Sequence, residues 1–232
     1  MIIIESKRKK LATILKKYPK ATVVDVTSKA NTTLRRLSPF YPHGGIPVPN
    51  SGNMTATCVE AVWQGLKVFE HEDIDISMFS NDTMKGLKRT SRKHGKVLGH
   101  RYGTNGCELL NYADARRRIY LPTYRWMLDY KVQDIIEHLR IANESQTIVL
   151  LDYNTNCDIY NYKKPLSHAF LVKAYAEGLP PYEDAFEIIE HHDYHTNGRR
   201  GWNVVSKERR VKAIEEYEPP TQLDIPFDFK DD

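Results

Sequence analysis

Four side chains in the stretch Thr55–Phe69 combine residue types and a spacing that could support chemistry. They stand at i, i+3, i+4 and i+7, so a helix would carry them on one side: Glu60, Trp63, Gln64 and Lys67. A carboxylate and an ammonium on a partly apolar helix face must be paired or take part in chemistry, because burying unpaired charges is costly. The alternative is that Glu60 and Lys67 lie at the solvent edge while Trp63 fills the core.

The element that must position these side chains is a helix over Thr55–Phe69. Its first residues carry small hydroxyl groups suited to a helix N-cap. The apolar residues that follow recur at helical spacing and predict one core-facing stripe: Val59, Val62, Trp63, Leu66 and Phe69. We therefore expect this helix to pack on the core with its polar side chains beside that contact.

Two further stretches place polar groups next to regular structure. Gly99-His100-Arg101 lies in a glycine-flanked segment, 96–103, whose backbone N–H groups and guanidinium could bind a phosphate. Thr147–Leu151 is the best candidate for a buried strand, and it runs directly into a loop rich in Asn and Asp, Asp152–Tyr162. Such loops often carry functional residues.

The rest of the chain predicts a helix-rich fold. We expect a basic amphipathic helix over Ser6–Tyr18, a strand over Thr22–Thr27, and an ordered, proline-rich loop or edge hairpin over Leu37–Asn50. Further helices are predicted over Met78–His94, over Cys107–Tyr120 with Arg116, Arg117 and Arg118 mostly outward, from Pro122 onward, over Val132–Ile141, and from Pro165 to Gly178. Together these elements indicate a single α+β domain, helix-dominated around a small sheet.

Composition and charge argue against several classes of protein. The chain has 232 residues, a net charge of +4 and three well-separated cysteines, which disfavour a disulfide framework or a zinc knuckle. No apolar run is long enough to span a bilayer, and the N-terminus has the reverse polarity of a signal peptide, so we expect a cytoplasmic protein without membrane contact. Basic residues concentrate in 7–20 and 85–101, and acidic residues follow Glu215, which indicates either solvated helix faces or nucleic-acid contact.

A pair of histidines near the C-terminus suggests a metal site, an interpretation that we do not favour. His191 and His195 would face the same way on a helix, but no third ligand at a suitable distance is identifiable from the sequence. An exposed histidine patch is the better interpretation. We therefore predict neither a metal nor another cofactor.

Several of these pieces together resemble the NADAR family, the YbiA-like N-glycosidases of NAD and ADP-ribose metabolism. The pieces are, in chain order, Leu37–Pro42 with Ile46–Pro49, Val59–Phe69, Gly99–Arg101, and Cys157–Asn161 followed by Lys164–His168. The second piece matches the E, Q and K of the family's S-E-x-x-x-Q-x-x-K-F helix with Glu60, Gln64 and Lys67. The departures are Val59 and Ala61 beside Glu60 and the lack of a tryptophan after Tyr160.

This resemblance implies hydrolysis of the N-glycosidic bond between ribose and a base, in ADP-ribosylated nucleic-acid bases or in phosphoribosylated compounds. For the oxocarbenium-like state of that reaction, Glu60 is the first candidate carboxylate and Asp158 the second acid or base, while Asp152 is a poorer choice that caps the strand end. Trp63 or Tyr41 would stack on the base, and Lys67 and Arg101 would bind phosphate. The full set of implied substrate-binding residues is Tyr41, Trp63, Gln64, Lys67, Arg101, Tyr160 and Asn161.

The resemblance also implies a YbiA-like catalytic core over 37–180, after a basic helix and strand over 1–36 and before a C-terminal extension and acidic tail over 181–232. A rival interpretation is a catalytically silent module that binds ADP-ribose or nucleic acid, because the neighbours of Glu60 differ from the family pattern. A third is a protein that only binds a partner through its basic N-terminal helix. The sequence leaves the oligomeric state open.

Overall fold

The computed structural model describes residues 1–182, in which short strands alternate with helices. The strands are β1 (Ile2–Ser6), β2 (Thr22–Asp25), β3 (Ile46–Pro47), β4 (Thr55–Ala56), β5 (Lys67–Phe69), β6 (Val97–Arg101), β7 (Leu109–Leu110) and β8 (Ile148–Asp152). The helices are α1 (Leu11–Lys17), α2 (Val59–Gly65), α3 (Ser91–His94), α4 (Tyr112–Ala115), α5 (Leu121–Lys131), α6 (Gln133–Ser145) and α7 (His168–Glu177). Short 3₁₀ turns cover Thr33–Leu37 and Ile76–Ser80, and a π-helical turn, Arg116–Tyr120, joins α4 to α5. The described residues thus confirm the predicted helix-dominated α+β fold class.

The central sheet is parallel, with β8 between β1 and β2. Ile148 on β8 is the register partner of Ile2 on one side and of Thr22 on the other. All five residues of β8 are buried, as expected for a central parallel strand that is covered on both faces. The strands predicted at 22–27 and 147–151 are confirmed. β1 is absent from the sequence prediction, although its β-branched isoleucines favour a strand.

The first 36 residues are part of this sheet. Because β1 and β2 both pair with β8, the predicted boundary between 1–36 and 37–180 falls inside one structural unit. The helix predicted from Ser6 is shorter, as α1, and it buries only Ile14. Of the segment 181–232, only the first two residues are described, so the predictions for His191 and His195 lie outside the described residues.

The helix predicted over Thr55–Phe69 is wrong at both ends, where the structure has the strands β4 and β5 around a shorter α2. The N-cap of α2 is the thiol of Cys58 and not one of the preceding hydroxyl groups. The helix ends at Gly65, which lies so close to Phe79 that a Cβ there would stand 2.3 Å from its ring. β5 then pairs antiparallel with β6, so Lys67 projects from a strand.

Two other predicted helices differ from the structure, the first over most of its length and the second at its start. Met78–His94 contains a 3₁₀ turn, a loop and only the short helix α3. Cys107–Tyr120 begins with β7 and becomes helical only after it, and Arg116 within it is 2% exposed rather than turned outward. The glycine-flanked segment 96–103 contains β6. The start of Cys107–Tyr120 departs from its helical pattern because β5, β6 and β7 pair into a second sheet, where the sequence predicts a single small one.

Several other predictions agree with the structure. Leu37–Asn50 is an ordered loop that ends in a hairpin of β3 and β4. The helix predicted over Val132–Ile141 is present as α6, and α7 ends at Gly178, whose φ of 62° explains the glycine. α2, α5, α7 and the parallel sheet bury their apolar faces in one common core. Among residues 1–182, no helix is both long and apolar enough to cross a membrane.

Candidate functional site

Glu60 is the buried carboxylate at the centre of the predicted site. It lies in the first turn of α2, is 8% exposed, and accepts a hydrogen bond on Oε1 from Gln64 Nε2 at 2.7 Å. Its N–H donates to the carbonyl of Pro39 at 2.8 Å, which ties the proline-rich loop to the helix. Burial raises the pKa of Glu60, and the hydrogen bond from Gln64 opposes part of that rise. A carboxyl group with a raised pKa is suited to proton transfer near neutral pH.

Gln64 connects this carboxylate to Lys67. Its Oε1 accepts from Lys67 Nζ at 3.0 Å and from the backbone N–H of Arg89 at 3.1 Å. Burial lowers the pKa of Lys67, and the negative charge of Glu60 opposes that effect. The structure therefore brings together Glu60, Gln64 and Lys67, which we name the Glu–Gln–Lys line.

Arg89 belongs to the same cluster, although the sequence places it in a basic run typical of a solvated helix face. It is 6% exposed, and its Nη1 donates to the carbonyls of Gln64 and Lys67 at 3.1 and 2.6 Å. Its Nη2 donates to the carbonyl of Asp73 at 2.7 Å. The guanidinium carbon also lies 4.9 Å from the centroid of the Phe69 ring. Arg89 thus anchors the basic segment on α2 and β5.

Trp63 forms an aromatic cluster beside the Glu–Gln–Lys line. Its ring contacts His100 with the centroids 3.8 Å apart, and it meets Tyr112 and Tyr120 edge-on at 5.9 and 5.6 Å. His100, which sequence analysis does not select, is 1% exposed, and neither of its ring nitrogens has a hydrogen-bond partner within residues 1–182. Burial is the main cause that lowers the pKa of His100 to about 3, so the imidazole is neutral at pH 7.

The proline-rich loop contributes to the edge of the site. Its predicted residue Tyr41 is partly buried against His43, with ring centroids 4.8 Å apart. Among residues 1–182, no hydrogen bond, ion pair or ring contact joins Tyr41 to the Glu–Gln–Lys line. The preceding residue, Phe40, lies near Lys88, whose Nζ is 5.7 Å from the ring centroid. The positive charge of Lys88 also acts on Glu60. Lys88 therefore brings an exposed cation to the edge of the site.

Arg101 is engaged elsewhere. It forms a two-pronged ion pair with Asp73, with distances of 3.0 Å from Nε and 2.7 Å from Nη2. Because successive side chains of a strand point to opposite faces, Arg101 and His100 leave β6 in opposite directions. The glycine-flanked segment therefore gives the site His100 rather than the predicted arginine.

The late loop holds the second predicted carboxylate away from Glu60. Asp158 is exposed, and its Oδ1 accepts the N–H of Tyr160 at 2.8 Å in a local turn. Tyr160 is 68% exposed, and the side chain of Asn161 accepts a local bond from the Lys163 N–H. No hydrogen bond, ion pair or ring contact within residues 1–182 joins Asp158, Tyr160 or Asn161 to Glu60. The structure does not bring these three predicted residues into the site.

Arg116 holds this loop in place from the π-helical turn. Its guanidinium donates to three loop carbonyls at 2.9 to 3.1 Å, those of Ile159, Asn161 and Lys164. It also lies 4.9 Å from the centroid of the Tyr112 ring, which in turn contacts Trp63. The late loop is therefore linked to α2 through Arg116 and one aromatic contact.

Asp152 connects β8 to the start of α7. Its Oδ2 accepts from Ser167 Oγ at 2.7 Å and lies 3.0 Å from His168 Nδ1. The other ring nitrogen of His168 lies 2.8 Å from the carbonyl of Val26. Because these polar groups are paired with one another, we interpret the cluster as structural. Asp152 holds Ser167, the N-cap residue of α7, beside the end of β8.

An open groove of about 360 Å³ lies between the β3–β4 hairpin and the turn at 76–80. Its lining includes Met54, Thr57, Ile76 and Phe79. None of the predicted site residues lines this groove. We therefore place the candidate site at the Glu–Gln–Lys line and its aromatic neighbours.

The fold and the site together define an α+β protein with a buried Glu–Gln–Lys line beside an aromatic cluster. The chain belongs to DUF6939, a family of unknown function, whose sequence model matches residues 6–172. This match spans the predicted boundary at residue 36 and includes the whole line. No curated protein matches the chain. The resemblance to the NADAR family stays a prediction.

Proposed function

We propose that this protein is an N-glycosidase that hydrolyses the ribose–base bond of ADP-ribosylated or phosphoribosylated compounds. The observation that carries the proposal is the buried carboxylate of Glu60, whose pKa is raised by burial and whose Oε1 is held by Gln64. Hydrolysis of this bond needs a carboxylate to orient water and to balance the positive charge of an oxocarbenium-like state. The second oxygen of Glu60, Oε2, accepts no hydrogen bond from the described residues and is left for that role.

The proposed reaction uses water as the only co-reactant. Glu60 Oε2 accepts a proton from the attacking water, whose oxygen forms the new bond to the ribose C1′ while the C1′–N bond breaks. The base leaves with the bonding electron pair and takes up a proton from solvent, and Glu60 returns its proton to solvent, so that the reaction consumes one water. Trp63 offers an aromatic surface for the base, and Lys67 offers a positive charge for a phosphate oxygen.

The basic segment around α3 leads us to include bases within nucleic acid among the substrates. Between Asp82 and Glu108 the sequence has seven Lys and Arg residues and no Asp or Glu. Arg89 and Arg101 are engaged within the protein, whereas the other five are exposed: Lys85, Lys88, Arg92, Lys93 and Lys96. Such a surface attracts a polyanion. We place the reaction in the cytoplasm, where the free cysteines of the described residues stay reduced.

A second candidate function is a silent module that binds ADP-ribose or nucleic acid without turnover. The observation that favours it is the position of Asp158, which no described contact connects to Glu60. A glycosidase that divides acid and base roles between two carboxylates needs both of them at the scissile bond. The two candidates therefore differ in whether Glu60 alone supports hydrolysis.

The test offers the protein ADP-ribosylated guanine in DNA, NAD and a phosphoribosylated pyrimidine, and measures released ADP-ribose or ribose 5-phosphate by mass spectrometry. Glu60→Gln keeps the shape of the side chain but removes its basicity, so we expect a loss of about 100- to 10,000-fold in turnover. Glu144→Gln, at an exposed position of α6, is the matched control and should retain the wild-type rate. Release that Glu60→Gln leaves unchanged overturns the proposal. Binding of ADP-ribose without release from any substrate supports the silent module.

A further inference from the structure

An unpartnered imidazole marks a place for a ligand next to the Glu–Gln–Lys line. His100 is 1% exposed, and its Nδ1 and Nε2 both lack a hydrogen-bond partner in the described part of the chain. Buried polar atoms of folded proteins nearly always have a partner. An imidazole with neither nitrogen bonded therefore points to a group that binds there.

Two cations share this part of the site. Lys67 is the register partner of His100 across β5 and β6, so the two side chains leave the sheet on the same face. Lys67 Nζ and the guanidinium carbon of Arg89 lie 5.9 and 4.9 Å from the same Phe69 ring centroid. Arg89 Nε is also buried without a hydrogen-bond partner among residues 1–182. The unused N–H groups thus lie beside two positive charges.

We infer that His100, Lys67 and Arg89 form a subsite for a phosphate group. A neutral imidazole N–H, an ammonium and a guanidinium N–H are donors that phosphate oxygens accept. The charge of Lys67 attracts the anion, while Arg89, whose Nη2 lies 3.4 Å from Glu72, offers its unused Nε–H. A bound metal cation would be repelled by Lys67 and Arg89. The described residues also contain no group of three side chains that could hold a metal ion.

The subsite rests on the proposed function, because it assigns a phosphate of the ribosylated substrate to the face of β5 and β6 beside Glu60. It takes the role that the sequence predicts for Arg101, which is paired with Asp73. One residue, Gln64, connects the subsite to the carboxylate, because it is hydrogen-bonded to both Lys67 and Glu60. A phosphate held there would keep the attached ribose near the carboxylate.

Trp63 packs against the imidazole of the subsite. Its ring lies 3.8 Å from the imidazole of His100, centroid to centroid, and covers one face of that ring. A phosphate in the subsite therefore contacts the ring nitrogens at the edge of the imidazole. This geometry makes the nitrogen signals of His100 the most direct report of binding.

The test measures binding of ribose 5-phosphate, ribose and inorganic phosphate by calorimetry, and follows the imidazole nitrogens of ¹⁵N-histidine-labelled protein by NMR. We expect ribose 5-phosphate to bind at least tenfold more tightly than ribose and to shift the His100 signals. His100→Phe keeps an aromatic ring against Trp63 but removes both nitrogens, so it should weaken ribose 5-phosphate binding at least tenfold and leave ribose binding unchanged. His138→Phe, on α6, is the matched control.

Equal affinity for ribose 5-phosphate and ribose, absence of binding, or an unchanged affinity of His100→Phe for ribose 5-phosphate each overturns the inference. If His100→Phe does not fold, the titration of the wild-type protein decides, and unshifted His100 signals at saturating ribose 5-phosphate overturn it. Binding is measured here without turnover. A protein that binds ribose 5-phosphate through His100 but releases no base supports the subsite and contradicts the glycosidase proposal.

Discussion

Arg89→Met is expected to destabilise the protein strongly, although this arginine stands in a run of basic residues typical of a solvated surface. Methionine keeps much of the apolar stem and removes the guanidinium, which donates to the backbone carbonyls of Gln64, Lys67 and Asp73. Each buried acceptor that loses its donor costs about 1–3 kcal/mol. The low end for three carbonyls gives a loss of about 3 kcal/mol, against a typical total stability of about 5–15 kcal/mol.

The assay is urea unfolding followed by tryptophan fluorescence and far-UV circular dichroism. Arg92→Met, on the exposed helix α3, is the matched control and should stay within about 0.5 kcal/mol of the wild type. Arg89→Lys keeps the charge but not the fork of donors, so its free energy of unfolding should fall between the two. A loss of about 0.5 kcal/mol or less for Arg89→Met would refute the reasoning, because a surface substitution has an effect of that size.

Three further predictions concern other parts of the molecule. Burial raises the pKa of Asp152, but the charge and hydrogen bond of His168 outweigh it and lower that pKa overall, while the carboxylate in turn raises the pKa of His168. The stabilisation by Asp152 is therefore lost as the pH falls below about 4, and the stabilisation by His168 is lost as the pH rises above its raised pKa. In urea unfolding, Asp152→Asn should lower the free energy of unfolding by about 3–5 kcal/mol at pH 5.5 and by less at alkaline pH. Burial raises the pKa of Cys58 to about 11. Iodoacetamide at pH 8 should therefore label the exposed Cys107 and Cys157 at once and Cys58 only after unfolding, as measured by mass spectrometry. Early labelling of Cys58 would contradict its burial. Replacing Lys85, Arg92 and Lys93 with glutamine should weaken binding to single-stranded DNA. The slope of log affinity against log salt concentration should fall in magnitude by about 0.7 for each lost phosphate contact. An unchanged slope would exclude this surface as the interface.

The elements that the sequence predicts well are those whose pattern does not depend on distant partners. β8 is a continuous apolar run with turn residues on both sides, and such a run has few alternatives to a buried strand. α7 carries its own stop signal in Gly178, which takes the left-handed conformation that glycine favours. Local physical chemistry is sufficient for these elements.

The elements that the sequence predicts poorly are decided by contacts between distant residues. The helical pattern predicts that Arg116 points outward. It is buried instead, because its guanidinium donates hydrogen bonds to loop carbonyls more than forty positions further along the chain. The same holds for Arg89, whose acceptors lie in α2, in β5 and at Asp73. A guanidinium can be buried wherever enough carbonyls converge, and periodicity contains no information about that convergence.

The candidate site shows the same division between local and distant causes. Glu60 and Gln64 are one helical turn apart on α2, so the sequence spacing is sufficient to bring them together. Lys67 also joins them, but for another reason than predicted, because the chain leaves the helix at Gly65 and β5 directs its side chain back toward Gln64.

The choice between His100 and Arg101 depends on the pairing of a strand. Adjacent residues of β6 point to opposite faces, so only one of the two can face Lys67 and the aromatic cluster. Pairing with β5 sets Lys67 opposite His100, and pairing with β7 is close enough at Gly99 that a Cβ there would stand 2.4 Å from the Leu110 carbonyl. Gly99 permits this close pairing, which fixes the register and turns the neutral imidazole inward and the guanidinium outward to Asp73. A shift of one residue would place the arginine beside Lys67, and the site would then contain three adjacent cations and lose the uncharged donor that His100 supplies.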